Sequence, residues 1–194
     1  VALEEILSDL GKKVTMYCPV NIPGYLGYVK GGDRVVDEFP RDFDASIIVD
    51  TASATLLERA IVPENAALIS KHPSIVIDHH VTEGTIPFKH LAMTDSTMVA
   101  TGELIYKWAA ECGWKINPQA CENLAISILA DSLGLVTENT TAHSIFTVAK
   151  LVEGGAKLST IDGRRREFMK KSPEILAYKG RLLERIEYHN DGEL

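Results

Sequence analysis

Asp78, His79 and His80 place a carboxylate and two imidazoles directly after the short apolar run 74–77. An apolar run of this length that ends in polar ligands is typical of a buried strand carrying a site at its C-terminal end. A second run, 46–49, ends in the same way at Asp50. Because parallel strands of an open α/β sheet collect ligands at this edge, we expect these side chains to act together. Carboxylates and imidazoles there indicate metal-assisted phosphate chemistry.

A third carboxylate, Asp131, ends the apolar helix predicted over 118–131. A negative charge at a helix C-terminus opposes the helix dipole by a few tenths to about 1 kcal/mol. A divalent cation would compensate it. The residues alone leave other interpretations open: Asp50 also suits a helix N-cap or a turn, and the Asp-His-His triplet suits a structural cluster.

The two adjacent histidines point to opposite sides if the backbone is extended. They can therefore share one metal ion only if the chain turns sharply after Asp78. The interpretation we favour gives one imidazole to the metal and turns the other toward substrate. Asp78 would then orient an imidazole through a hydrogen bond.

The elements that must position these residues alternate between strand and helix. The pattern predicts strands at 13–18, 46–49 and 74–77 with an edge strand in 88–93, and helices at 2–10, 53–60, 98–112, 118–131, 141–153 and 173–188. Residues 66–70 suit a short strand or a helix end. This order favours an α/β fold: a doubly wound, mostly parallel sheet flanked by helices, with a helical C-terminal segment.

The composition is that of an ordinary soluble protein of 194 residues with 45% hydrophobic residues. The net charge of −7 argues against binding to duplex nucleic acid. No apolar stretch approaches the roughly 20 residues of a membrane helix, so no membrane partner is expected. Cys18, Cys112 and Cys121 are odd in number and lack CxxC spacing, which predicts reduced thiols in a cytoplasmic protein.

Two further features carry weaker signals. A basic run, Arg164 to Arg166 with Lys170 and Lys171, is typical of a solvated helix face, and the alternative is a contact with nucleotide phosphates. The remaining histidines lack ligand spacing and are expected to be surface or hydrogen-bonded core residues; they are His72, His90, His143 and His189.

Five segments, in this order along the chain, resemble the DHH phosphoesterase superfamily, in particular the catalytic domain of its nanoRNase-like and RecJ-like members. The triplet alone is a weak signal, whereas the ordered set covers nearly the whole chain. The segments are Asp50 to Ser53, Asp78 to His80, Ser96-Thr97 with Ala100 to Tyr106, Ala130 to Gly134, and Asn139 to Thr141.

The resemblance implies a role for each matching residue. Asp50, His79 and Asp131 would bind one or two Mn²⁺ ions, with Mg²⁺ or Co²⁺ as alternatives. His80 would face the scissile phosphate and bind substrate, and with Asp78 it forms the expected catalytic pair. The implied activity is metal-dependent hydrolysis of short oligonucleotides, nucleoside bisphosphates or cyclic dinucleotides, with a nucleotide or short single strand as partner and a homodimer as a candidate assembly.

The sequence also departs from the family pattern. The first motif, a His followed by Asp-x-Asp, is expected just before Val1, and the smaller C-terminal domain is expected after 191–194, which we interpret as the start of a linker. Residues 1–190 are thus predicted to be an N-terminally truncated DHH domain. The family often has an aromatic residue and an Arg where this chain has Leu135 and Val136. The alternative functions are an inactive nucleotide- or phosphate-sensing or scaffold domain, and a pyrophosphatase or exopolyphosphatase.

Overall fold

The computed structural model describes residues 1–80 and 85–187. The predicted linker at 191–194 and the predicted surface histidine His189 lie outside these residues. None of the described helices is both long and apolar enough to cross a membrane.

Three parallel strands form the sheet in the order β1-β2-β3. They are β1 (Ser46–Val49), β2 (Ser74–Asp78) and β3 (Leu91–Thr94). In the register, Val49 pairs with Ile77 and Asp78 pairs with Thr94, so all three strands end at one edge. The predicted strands 46–49 and 74–77 are therefore confirmed, and the edge strand forms slightly later than predicted.

Seven α-helices accompany the sheet in the described residues. They are α1 (Ala2–Asp9), α2 (Pro63–Ile69), α3 (Thr101–Glu111), α4 (Pro118–Asp131), α5 (Ala142–Glu153), α6 (Leu158–Phe168) and α7 (Pro173–Leu183). Two 3-10 turns, Gly24–Leu26 and Gly32–Arg34, lie between α1 and β1.

Local signals explain where the central helices begin. Pro118 occupies the first turn of α4, where its missing N–H costs nothing, and the Asn117 side chain accepts a hydrogen bond from the Ala120 N–H at 2.9 Å. A capping box between Thr141 and Ser144 starts α5. Both helices therefore begin within a residue of the predicted start.

The strand β2 separates two apolar clusters. On one face, Ile75 and Ile77 contact the main core, to which α3 and α4 contribute Leu104, Leu124 and Ile128. On the other face, Val76 packs in a smaller cluster with Ile69 of α2. Helices thus cover both faces of a parallel sheet, and the predicted α/β architecture is confirmed.

Three predicted elements differ from the structure, and one further helix was not predicted. Residues 13–18 form only one isolated bridge, between Tyr17 and Val36, because no longer strand runs beside them. Residues 53–60 form turns, since Leu56 is 76% exposed and gives a helix no apolar face to bury. The structure adds α6, whose basic sequence buries only Ile161 and so has no apolar stripe to reveal it. The helix predicted over 173–188 ends at Leu183, and α7 buries no residue.

Candidate metal centre

Asp50 follows β1 and adopts a left-handed backbone conformation with φ of 65°. Asp tolerates this region better than most residues, but it is sparsely populated and such strain concentrates at functional sites. The Asp50 N–H extends the sheet by donating to the Ile77 carbonyl at 2.8 Å. Its side chain is 55% exposed, and Oδ1 accepts a hydrogen bond from Thr101 Oγ1 at 2.7 Å. The strained turn therefore aims a carboxylate out of the strand end.

The ring of His79 is oriented by the backbone of the segment before α3. Nδ1 lies 3.3 Å from the Met98 carbonyl oxygen. Since a carbonyl only accepts, Nδ1 carries the proton, and in the neutral ring Nε2 presents a lone pair. Nε2 lies 3.6 Å from Asp50 Oδ1 and 3.8 Å from Asp131 Oδ2.

Asp131 completes this arrangement from the last residue of α4. Burial, followed by the negative charge of Asp50, raises the pKa of the Asp131 carboxyl above its ordinary value, and the two histidines oppose that shift. The helix C-terminus adds further negative potential here. The Asp131 charge is therefore poorly compensated by its surroundings.

When His79 is neutral, its Nε2 and the carboxylates of Asp50 and Asp131 face each other as lone-pair donors with no hydrogen atom between them. They repel one another unless a cation lies between them. The donor set fits a divalent cation, because ligands about 2.0–2.2 Å from one ion lie roughly 3–3.5 Å apart, and His79 Nε2 lies 3.6 Å from Asp50 Oδ1 and 3.8 Å from Asp131 Oδ2. Among the described residues, the group whose ligand atoms all lie within 4.8 Å of one another is Asp50, His79 and His80, and Asp131 adjoins this group at His79. Mixed carboxylate and imidazole ligands suit Mn²⁺, Zn²⁺ or Co²⁺.

His80 is fixed by its neighbour Asp78, whose side chain is fully buried. Asp78 Oδ1 accepts from the backbone N–H of His80 at 3.2 Å and lies 2.7 Å from His80 Nδ1. The hydrogen bond to Asp78 raises the pKa of His80, and burial opposes this. Asp78 Oδ2 is buried and has no hydrogen-bond partner within residues 1–80 and 85–187.

The backbone turn after β2 brings the two imidazoles together. Their centroids lie 4.2 Å apart at an interplanar angle of 48°. The opposite orientations expected for an extended backbone are therefore not realised, because the strand ends at Asp78. The structure brings all five predicted residues to this one edge: Asp50, Asp78, His79, His80 and Asp131.

Sequence reasoning missed the groups that orient the ligands. Thr101 lies in a segment that resembles the family, but its residue type does not indicate a partner, and a backbone carbonyl such as that of Met98 has no side-chain signature. His143 is 51% exposed, as expected of a surface histidine, yet it pairs with the fully buried Glu103 at 2.7 Å. The only available signal was the position of Thr101 and Glu103 in the first turn of a helix that follows the sheet.

The basic run lies on α6 and is largely paired. Arg165 and Arg166 both contact Asp162, at 2.9 and 2.6 Å, and Arg164 contacts Glu122. These pairs fit the interpretation of a solvated, salt-bridged helix surface, and no phosphate-binding role is needed to explain the run.

Comparisons with known proteins agree with this fold. No family model matches the chain. A curated relative, the bifunctional oligoribonuclease and PAP phosphatase NrnA of Bacillus subtilis strain 168, is 28% identical over 110 residues, which are 55% of this chain and 33% of that protein. The crystal structure of an exopolyphosphatase-related protein from Bacteroides fragilis superposes with a TM-score of 0.81 at 17% identity, over 97% of this chain and 56% of that one. These similarities support the resemblance of the chain to DHH phosphoesterases.

A second solved structure shares this fold more distantly. It is a Methanococcus jannaschii protein assigned to the family II inorganic pyrophosphatases, with a TM-score of 0.58, 17% identity, and coverage of 86% of this chain and 54% of that one. The chain thus spans about a third of its curated relative and about half of each structural relative. All three relatives carry names of hydrolases, or relatives of hydrolases, that act on phosphate bonds.

Proposed function

We propose that this chain forms the metal-binding part of a phosphoesterase that hydrolyses short oligonucleotides, nucleoside bisphosphates or cyclic dinucleotides. The observation that carries the proposal is the convergence of Asp50, His79 and Asp131, with His79 Nε2 within 3.8 Å of both carboxylates. A structural cluster would pair such groups with hydrogen-bond donors. Here the three side chains face each other, and Asp50 Oδ1 accepts one hydrogen bond, from the Thr101 hydroxyl.

Asp50, His79 and Asp131 would hold one or two divalent cations, for which Mn²⁺ is our first choice and Mg²⁺ or Co²⁺ the alternatives. A cation bound there lowers the pKa of water and neutralises charge that develops on phosphate. Thr101 keeps the Asp50 carboxylate in place through its hydroxyl, and the Met98 carbonyl fixes the tautomer of His79.

His80 is the candidate substrate-binding and catalytic residue. With Nδ1 held by Asp78, Nε2 can approach a phosphate oxygen, and the half-exposed ring is accessible. Its raised pKa keeps a larger fraction of the imidazole protonated near neutral pH. A protonated His80 would donate a hydrogen bond to the phosphate and a proton to the leaving oxygen.

An organic substrate is favoured over an inorganic one by the loop after Asp131. Leu133 and Val136 are 74% and 77% exposed, so two large apolar side chains follow the third ligand within five residues. Such a surface suits a nucleobase or a ribose better than a chain of phosphates. The name of NrnA agrees with this choice, whereas the names of the two structural relatives favour the second candidate, a pyrophosphatase or exopolyphosphatase.

The test is hydrolysis by the full-length protein in Mn²⁺, with a dinucleotide, a nucleoside 3′,5′-bisphosphate, a cyclic dinucleotide, pyrophosphate and polyphosphate as substrates. We expect Asp50→Asn and His79→Gln to lower kcat/KM by about two orders of magnitude or more. Asn suits the left-handed backbone at position 50, so the first variant removes charge without adding strain.

His72→Gln is the matched control, because His72 lies before β2 at the opposite end of the strand from His79. It should keep full activity. Full activity in Asp50→Asn and His79→Gln would refute the proposal. Absence of any hydrolysis by the parent would favour the inactive sensing or scaffold domain.

A further inference from the structure

Glu103 is a fully buried carboxylate in the first turn of α3, and three donors surround it. Oε2 accepts from the Val99 N–H at 2.8 Å and from Ser144 Oγ at 3.2 Å. Oε1 lies 2.7 Å from His143 Nδ1. Glu103 thus ties the segment before α3 to the first turn of α5. Hydrogen bonds to a buried charge are among the stronger ones in a protein.

The segment that Glu103 holds also orients two of the metal-centre side chains. Met98, the neighbour of Val99, accepts the hydrogen bond from His79, and Thr101 donates to Asp50. Residues 98–101 therefore contact the centre at both ends and Glu103 in the middle. Val99 is itself fully buried, so its N–H would have no water to replace the carboxylate.

We propose that Glu103 is a positioning residue of the metal centre. By anchoring Val99 to the first turn of α5, it sets where the Met98 carbonyl and the Thr101 hydroxyl lie, and through them the orientation of His79 and Asp50. This inference rests on the proposed function insofar as His79 and Asp50 bind metal. Glu103 touches neither of them, and its role is indirect.

The matched control is Glu122, a second buried glutamate. It lies in the first turns of α4, far along that helix from Asp131, and it pairs with Arg164 and Lys30. Glu103→Leu and Glu122→Leu therefore both remove a buried, paired carboxylate at similar volume. Only the first removes a contact to the segment 98–101.

The experiment measures Mn²⁺ binding by calorimetry and the tautomer of His79 by ¹⁵N NMR in metal-free protein. We expect Glu103→Leu to weaken Mn²⁺ binding about tenfold and to mix the two His79 tautomers. Glu103→Gln, which keeps an acceptor for Val99, should restore most of both. Glu122→Leu should lose stability while leaving both readouts at parent values.

If Glu103→Leu does not fold, the double variant His143→Ala with Ser144→Ala replaces it. This variant removes the hydrogen bonds between Glu103 and α5. It is expected to change Mn²⁺ binding and the His79 tautomer in the same direction as Glu103→Leu, by a smaller amount. Parent-like Mn²⁺ affinity together with a parent-like His79 tautomer would overturn the inference. A parent that binds no Mn²⁺ refutes the proposed function instead, and the metal-free tautomer still tests Glu103.

Discussion

One contact of His79 decides what the whole centre can do. The Met98 carbonyl accepts a hydrogen bond from Nδ1–H, so Nε2 of the neutral ring is left as an acceptor that faces two carboxylates. A divalent cation between these groups would relieve their repulsion. In metal-free protein the rest of the fold must hold the three side chains together against it.

Asp131 gives a test of this repulsion in metal-free protein. Because the pKa of Asp131 is raised, the folded state favours the neutral carboxyl. The stability that this form contributes is fully present below the ordinary value of 3.8 and is lost as the pH rises through the raised value. At neutral pH an unfavourable charge remains. We expect Asp131→Asn to raise the free energy of unfolding in EDTA by about 0.5 kcal/mol, since the side chain is a third exposed.

Urea unfolding at pH 7.5 with EDTA, and calorimetry with Mn²⁺, check both halves of that prediction. The variant should gain stability without metal and lose Mn²⁺ affinity. A metal-free variant less stable than the parent would show that Asp131 is compensated by its surroundings.

His80 should titrate above its ordinary pKa of 6.5, because Asp78 accepts a hydrogen bond from its Nδ1–H. The contribution of this ion pair to the stability of the fold is therefore fully present below pH 6.5 and is lost as the pH rises through the raised pKa of His80. An NMR titration of the metal-free protein measures it. Asp78→Asn should lower the His80 pKa toward its ordinary value, and a His80 that titrates at or below 6.5 in the parent contradicts the assignment.

At the scale of elements, the separation of α3 and α4 sets the width of the centre. Thr101 at the start of α3 holds Asp50, and Asp131 ends α4. The helices approach closely at Gly102, where an added Cβ would lie 2.6 Å from both Cβ and Oγ of Ser127. Only a glycine allows this approach.

Gly102→Ala is therefore expected to push the two helices apart. Overpacking of this kind costs about 1–3 kcal/mol, and the displaced Thr101 should weaken Mn²⁺ binding. Gly180→Ala in α7 is the matched control, because nothing lies within 4 Å of its added Cβ. The control should be neutral or more stable by up to about 1 kcal/mol. Equal stabilities of the two variants in urea unfolding would argue against the close approach.

Helix starts that carry a capping signal could be predicted closely from the sequence. Asn117, Pro118 and Thr141 mark the starts of α4 and α5 within a residue. In contrast, α6 buries one residue and has no apolar period to detect. The strand predicted over 13–18 needed a neighbouring strand, and only Val36 supplies one bridge. Strand formation depends on such tertiary partners, which local patterns do not encode.

At the scale of the whole molecule, the centre is joined to the main core through α4. Leu124 and Ile128 are buried in that core, and Asp131 extends from the same helix. Asp50 follows β1, and His79 follows β2, the strand that separates the two apolar clusters. A cation bound by all three side chains would therefore stabilise the sheet and the helical layer together.

Mn²⁺ should consequently raise the unfolding temperature of the whole domain in one transition. At a free concentration about 100 times the dissociation constant, the expected gain is about 2.7 kcal/mol. Differential scanning calorimetry with Mn²⁺ and with EDTA measures it. Asp50→Asn and His79→Gln should show no Mn²⁺-dependent shift, while His72→Gln should behave as the parent. A shift of equal size in all four proteins would mean that Mn²⁺ binds elsewhere.

The meeting of the five candidate residues at one edge was predictable because each lies at or just after the end of a strand or helix whose apolar pattern is clear. The contacts that orient these residues were not predictable. The pairs Thr101–Asp50 and His143–Glu103 join residues 51 and 40 positions apart, and neither partner has a spacing that indicates the other. The carbonyl of Met98 acts through the backbone alone. Such contacts depend on how α3 and α5 pack, which a single sequence does not specify.

Position 50 has two separate requirements: a residue that adopts the left-handed backbone conformation and a side chain that carries a negative charge. Glycine, asparagine and aspartate adopt this conformation most readily, but of these three only aspartate carries a charge. In a library randomised at position 50, a selection for soluble, folded protein should enrich all three residues. A selection for phosphate-bond hydrolysis should retain aspartate alone, so comparing the two pools separates what the chain needs to fold from what it needs to work.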